Sequence, residues 1–165
     1  MIDIAKRFAL FLLLIVAQAL IFGRIHVFDC ATPLLYIYFV LTFNHTYPRW
    51  VVLLWSFAMG LCIDAFSNTP GVATASLTLI GFIQPYFFAL FVPDDASEKF
   101  SPSIKDMGAI KFSFFAGVLL LVFCMALFSL EAFNFFDLKH WLMCVGGSWI
   151  ITIMFIIMIE SVRSK

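Results

Sequence analysis

Residues 50–66 read WVVLLWSFAMGLCIDAF, residues 67–71 read SNTPG, and residues 72–92 read VATASLTLIGFIQPYFFALFV. Two apolar runs close to the ~17–25 residues that cross a bilayer as a helix flank five residues that favour a bend. This pair reads as a membrane hairpin, and the pattern continues outward from it. Apolar runs occupy about residues 8–23, 31–43, 50–66, 72–92, 112–130 and 141–159.

Composition agrees with this pattern. The 165-residue chain is 64% hydrophobic and 12% charged, where soluble domains run about 45–50% and about 25%. No water-soluble fold of this size hides so much apolar surface. Phe alone occurs 22 times, mostly inside the apolar runs, which suits helices facing acyl chains. The expectation is one all-α integral membrane domain, residues 1–165, with the lipid bilayer as its solvent. Ten basic residues balance ten acidic ones with no basic stripe, which argues against nucleic acid as a partner. Cys30, Cys62, Cys124 and Cys144 stand singly, three of them within apolar runs, so they read as small core residues rather than a disulfide framework or zinc site.

Lys6 and Arg7 precede the first run as in a signal peptide, yet no A-x-A cleavage site follows it. Phe28-Asp29-Cys30 is not a lipoprotein cleavage box. The first run therefore reads as an uncleaved signal anchor and first span. The second run is short: Asp29, Thr32 and Pro33 precede it and Asn44, His45 and Arg49 follow. It reads either as a short span or as a re-entrant helix.

Charge separates these options, because cytoplasmic loops carry excess Lys and Arg. Six spans with the N-terminus inside put Lys6, Arg7, Arg49, Lys99, Lys105, Lys111, Arg163 and Lys165 inside and only Arg24 and Lys139 outside. Without a second crossing, the best split is seven to three, with Lys6 and Arg7 on the wrong side. Six transmembrane helices with both termini cytoplasmic, in an inner membrane, is the expected topology. Tyr47 and Trp50 at the inner end of span three, and Trp141 at the outer end of span six, sit at depths that aromatic rings favour.

Loop 93–108 is cytoplasmic in this topology. Asp94, Asp95, Glu98 and Asp106 stand there against Lys99 and Lys105, with Phe100, Ile104 and Met107 between them. A solvated connector is the plainer reading; a docking segment for a cytoplasmic partner is the sharper one.

Ser56, Gly60 and Asp64 recur every four residues and share one helix face. Ser56-x-x-x-Gly60 lets a neighbouring helix approach closely. Asp64 falls near the outer boundary, where a carboxylate costs less than the ~2.5–3.5 kcal/mol of the bilayer centre but still needs compensation. The first N–H groups of the helix after the turn have no intrahelical partners and lie at its positive dipole end. Asp64 accepting from them would staple the hairpin; the functional alternative is an ion or substrate ligand. No second intramembrane acid stands where it would form a pair, which favours the staple.

Gln84-Pro85 predicts a kink, with the Pro85 ring opposing the carbonyl of Gly81. Ser113-x-x-x-Gly117 and Gly146-Gly147-Ser148 give the last two spans small packing faces. Glu131 and Asp137 flank the loop before span six and read as solvated. His26, His45 and His140 fall near span ends on both sides of the membrane, so they do not form one metal site. No nucleophile with base and orienting group, and no phosphate loop, stands in recognisable spacing. The chain reads as a non-enzyme with no catalytic, cofactor or metal residues.

The segment Phe57 to Gly71 resembles the bacterial rod shape-determining protein MreD family, whose members share a G-x-x-x-D-x-x-S/T-x-x-x-G pattern at the end of one span. Gly60, Asp64, Ser67 and Gly71 fall on it, with Pro70 inside. A short second run entered through a proline, here Pro33, is also like that family, and loop 93–108 departs from it. The resemblance implies a non-catalytic subunit of the cell-elongation machinery. Its implied partners are an MreC-like bitopic protein, a RodA-like glycosyltransferase, a penicillin-binding transpeptidase and an MreB-like filament, linking cytoplasmic filaments to peptidoglycan synthesis. The family's likeness to substrate-binding subunits of vitamin transporters leaves a second reading, a small-solute transporter or substrate-capture subunit. That reading requires polar groups converging at mid-membrane, for which Gln18, Gln84, Thr74, Ser76 and Thr78 are the candidates.

Overall fold

Backbone within hydrocarbon must satisfy its own hydrogen bonds, and the chain meets this demand almost wholly with helices. The computed structural model describes residues 2–20, 33–44, 47–93, 101–132 and 138–163. Among them are α1 (Ile2–Leu20), α2 (Ile37–Leu41), α3 (Arg49–Ser67), α4 (Val72–Ala89), α5 (Ile104–Met107), α6 (Ala109–Ala132) and α7 (Leu138–Arg163), and no strand. Four helices are long and apolar enough to cross a membrane: α3, α4, α6 and α7. The all-α expectation holds, with fewer crossing-length helices than the expected six.

The first two runs account for the difference. Helix α1 has 19 residues, but Asp3, Lys6 and Arg7 occupy its first two turns and its apolar stretch is only Arg7–Gln18. Residues 21–23 of that run lie outside the described residues. The second run contributes only the five residues of α2, about 7.5 Å of helix against a hydrocarbon core of ~30 Å. Its lack of charge has another cause than lipid contact: every residue from Pro33 to Phe43 is buried within the protein. Irregular backbone at membrane depth is tolerated only in such surroundings.

Three side chains hold this buried segment in place. The Leu34 N–H donates to Thr152 Oγ1 at 3.0 Å, the Tyr38 hydroxyl to Glu160 at 2.5 Å, and Gln84 Nε2 to the Phe43 carbonyl at 3.1 Å. Arg7 reaches Tyr47 while Phe11, one turn on, packs on Trp55 and Phe39, so α1 and α3 run in the same sense. The buried segment 33–44 lies in the chain between these two parallel helices.

Helices α3 and α4 form the expected antiparallel hairpin. A Cβ on Gly60 would lie 2.9 Å from the Thr74 nitrogen and 3.1 Å from the Ala73 oxygen, and one on Gly81 would lie 2.8 Å from Ser56 Cβ. The small face of Ser56 and Gly60 is thus used within the chain. Helix α4 continues through Pro85 to Ala89, so the proline falls in its last turn and does not end it.

Phe87 and Phe88 of α4, and Phe91 just after it, meet Phe115 of α6 with ring centroids 5.6–5.9 Å apart, contacts worth ~0.5–1.5 kcal/mol each beyond area burial. Gly117 takes its predicted place in the α6–α7 contact. Its carbonyl accepts from Trp149 Nε1 at 2.8 Å, and a Cβ there would lie 3.1 Å from Ile153 Cδ1. Ser113 and Gly147 are half-buried. A Cβ on Gly146 would meet nothing within 4 Å among the described residues.

Candidate functional site

Two buried carboxylates lie at opposite ends of the bundle. Asp64 occupies the last turn of α3. There the chain turns through Asn68 in the left-handed conformation (φ 56°) and Gly71 (φ 88°). A Cβ on Gly71 would touch nothing within 4 Å, so glycine serves that position through its backbone angle rather than its size.

Both Asp64 oxygens face donors of the turn and of the first turn of α4. Oδ1 accepts from Thr69 Oγ1 at 3.2 Å and the Ala73 N–H at 2.9 Å. Oδ2 accepts from the Gly71 N–H at 3.1 Å, the Thr74 N–H at 2.9 Å and Thr74 Oγ1 at 2.5 Å. Three of these donors are the backbone groups that a helix start leaves unpaired. Hydrogen bonds to a charged group contribute ~1.5–3 kcal/mol each, so the five together outweigh the insertion cost of the carboxylate. The staple arrangement is the observed one. Gly60, Asp64 and Gly71 act together in it, one through close approach, one through its carboxylate and one through its backbone; Ser67 and Pro70 are exposed beside the turn.

Glu160, in the last turn of α7, is 0% exposed and escaped the sequence reading. Its Oε2 accepts from the Tyr38 hydroxyl and its Oε1 from Ser103 Oγ, both at 2.5 Å. Arg163 stands 3.7 Å away and also donates to the Tyr38 oxygen at 3.2 Å. One carboxylate thus fastens the buried segment around α2, the 101–108 segment and the end of α7.

Segment 101–108 corrects the connector reading over that part of the loop. Pro102, Ser103 and Met107 are buried. Ser103 caps the short α5 by accepting from the Lys105 N–H, and Asp106 accepts from both the Ser101 N–H and hydroxyl. The segment docks on its own chain. Residues 94–100, with Asp94, Asp95, Glu98, Lys99 and Phe100, lie outside the described residues.

The polar groups proposed for a solute path are mostly occupied. The Thr74 hydroxyl bonds Asp64. Ser76 and Thr78 donate to carbonyls four residues earlier, and Gln84 bonds Phe43. Gln18 is buried, and its Oε1 finds no partner among the described residues. Among the described residues, no three His, Cys, Asp or Glu side chains are grouped to hold a metal ion. His26, His45, Cys30, Arg24 and Asp137 lie outside the described residues, as does the side chain of His140; Glu131 is exposed.

Glu160 had a sequence signal. Ser148, Thr152, Ile156 and Glu160 recur every four residues and are all 0% exposed, so they form the inner face of α7. Compared with family models, with curated proteins and with solved structures, the chain finds no match in any of the three.

Proposed function

We propose that this protein is a non-catalytic scaffold subunit in the membrane of a bacterial cell, working in the cell-elongation complex that the MreD resemblance implies. In this reading it passes the inner membrane six times with both termini cytoplasmic. The parallel α1 and α3 support an intervening return, which the buried segment around α2 completes without a full-length helix. The partners are those of the resemblance: an MreC-like bitopic protein, a RodA-like glycosyltransferase, a penicillin-binding transpeptidase and an MreB-like filament. The subunit joins filament to wall synthesis by helix–helix association rather than by chemistry of its own.

The observation that carries this reading is the use made of the buried polar groups. Asp64 and Glu160 are each saturated by donors from the chain itself. Both hold helices together, as a scaffold needs. A small-solute carrier or substrate-capture subunit requires such groups to face a path, and Gln18 Oε1 is the member of the candidate set left for that task.

Depletion in the native cell distinguishes the two. Loss of elongated shape with normal solute uptake supports the scaffold; normal shape with lost uptake supports the carrier. Tags at Met1 and Lys165 test the topology separately, and reporters in opposite compartments refute it.

A further inference from the structure

Two arginines at the Glu160 end of the bundle bond aromatic residues and, among the described residues, no carboxylate. The Arg7 guanidinium lies over the rings of Phe43 and Tyr47, 4.6 and 4.2 Å from their centroids. Its Nε donates to the Tyr47 hydroxyl at 3.1 Å. The Arg49 guanidinium lies 4.4 Å from the Tyr86 ring centroid, and its Nη1 donates to the Tyr86 hydroxyl at 2.9 Å. Among the described residues the ion pair of Arg163 with Glu160 is the one formed.

Each clamp fixes a guanidinium and leaves most of it free. Arg has five N–H donors and no acceptor. Among the described residues nothing bonds either terminal nitrogen of Arg7, or Nε and Nη2 of Arg49. Flat guanidinium edges match the paired oxygens of a phosphate, and the aromatic faces have already removed the rotamer freedom that binding would otherwise cost.

The two clamps meet at the start of α3 in the chain. Tyr47, which holds Arg7, is two residues from Arg49, so their Cα atoms are at most about 7 Å apart. Trp50 follows at 68% exposure, and Leu90, one turn beyond Tyr86, is 78% exposed. An exposed Trp beside Arg and Tyr marks the headgroup depth of a bilayer.

We propose that Arg7 and Arg49 form a binding site for the phosphodiester headgroup of an anionic phospholipid at this membrane surface. Trp50 and Leu90 lie against the adjoining acyl chains. Charge complementarity selects this occupant: two cations that pair with no acid among the described residues, set at headgroup depth, favour an anionic lipid over a zwitterionic one. The inference rests on the membrane-spanning reading but not on the scaffold role.

The purified protein in detergent micelles is titrated with phosphatidylglycerol or phosphatidylcholine, and retained lipid is counted by native mass spectrometry. Phosphatidylglycerol should be retained preferentially. Arg7→Gln and Arg49→Gln should each weaken its retention about fivefold. Arg49→Lys should fall between, keeping the charge but losing the fork, and Lys139→Gln at the opposite end should change nothing. Gel filtration confirms that each variant stays folded. Equal retention of both lipids, undiminished retention in both glutamine variants, or full competition by inorganic phosphate would each overturn the proposal. Micelles carry no sidedness, so these results are independent of the tag experiment on topology.

Discussion

Replacing Asp64 by Asn and by Leu separates its hydrogen bonds from its shape. In Asp64→Asn the remaining oxygen keeps most bonds if it takes the Oδ2 position, facing the Gly71 and Thr74 N–H groups and the Thr74 hydroxyl. The amide then faces the Ala73 N–H, donor against donor, while the Thr69 hydroxyl turns to accept. One buried N–H is orphaned, a loss of ~1–3 kcal/mol, or about 2. In Asp64→Leu the Ala73 and Thr74 N–H groups are both orphaned, while the partly exposed Gly71 N–H and Thr69 hydroxyl reach water. That loss is ~2–6 kcal/mol, or about 4. Unfolding in mixed micelles by rising dodecyl sulfate, followed through tryptophan fluorescence, should therefore rank wild type above Asn and Asn above Leu, with steps of about 2 kcal/mol. Assembly in cells should survive partly with Asn and fail with Leu. If both variants accumulate stably yet lose function, Asp64 binds a ligand. If Leu matches Asn in unfolding, the saturated carboxylate does not hold the hairpin.

Glu160→Leu should release segment 101–108: a cysteine at Met107, in a chain with its other cysteines replaced, should react at least tenfold faster with a maleimide. Glu160→Gln should leave the rate nearly unchanged, since the Ser103 and Tyr38 hydroxyls can pair with an amide. Gly60→Ala should lower unfolding stability by ~1–3 kcal/mol because its new methyl meets backbone atoms of α4. Gly117→Ala should cost under about 1 kcal/mol in the same assay, since it meets the movable tip of Ile153. Gln84→Leu should orphan the buried Phe43 carbonyl and cost ~1–3 kcal/mol; full stability of that variant would show that α2 is held by apolar packing alone.

Legibility followed sequence distance. The hairpin was readable because all Asp64 partners lie between Thr69 and Thr74, and turn chemistry with helix-start logic covers such separations. The last two spans were readable from length and hydropathy. The burial of the second run was not readable, because hydropathy records the absence of charge, not its cause; lipid contact and burial in protein look alike in residues 33–43. The Glu160 site could not be read from local pattern. Its partners lie 57 and 122 residues away, and α7 shows its inner stripe of Ser148, Thr152 and Glu160 only when spacing of four is followed past the apolar run. Loop 93–108 looked solvated for the same reason: Ser103 is an ordinary loop residue until the acid it bonds is known.

The two acids act at different stages if the spans insert in chain order and then associate. Every donor to Asp64 is present once α3 and α4 have entered, so that carboxylate shapes the hairpin before later spans arrive. Tyr38 and Ser103 both precede α7, and neither can meet Glu160 until the last helix is in place. The final span therefore closes the bundle by capturing two hydroxyls that wait at its C-terminal end. The buried segment around α2, with only five helical residues and backbone that lipid cannot satisfy, depends on that closure more than any crossing helix does. Its three polar anchors, Thr152, Glu160 and Gln84, come from α7 and α4 rather than from its neighbour α1. A chain built this way reaches its full form only when its last helix is in place.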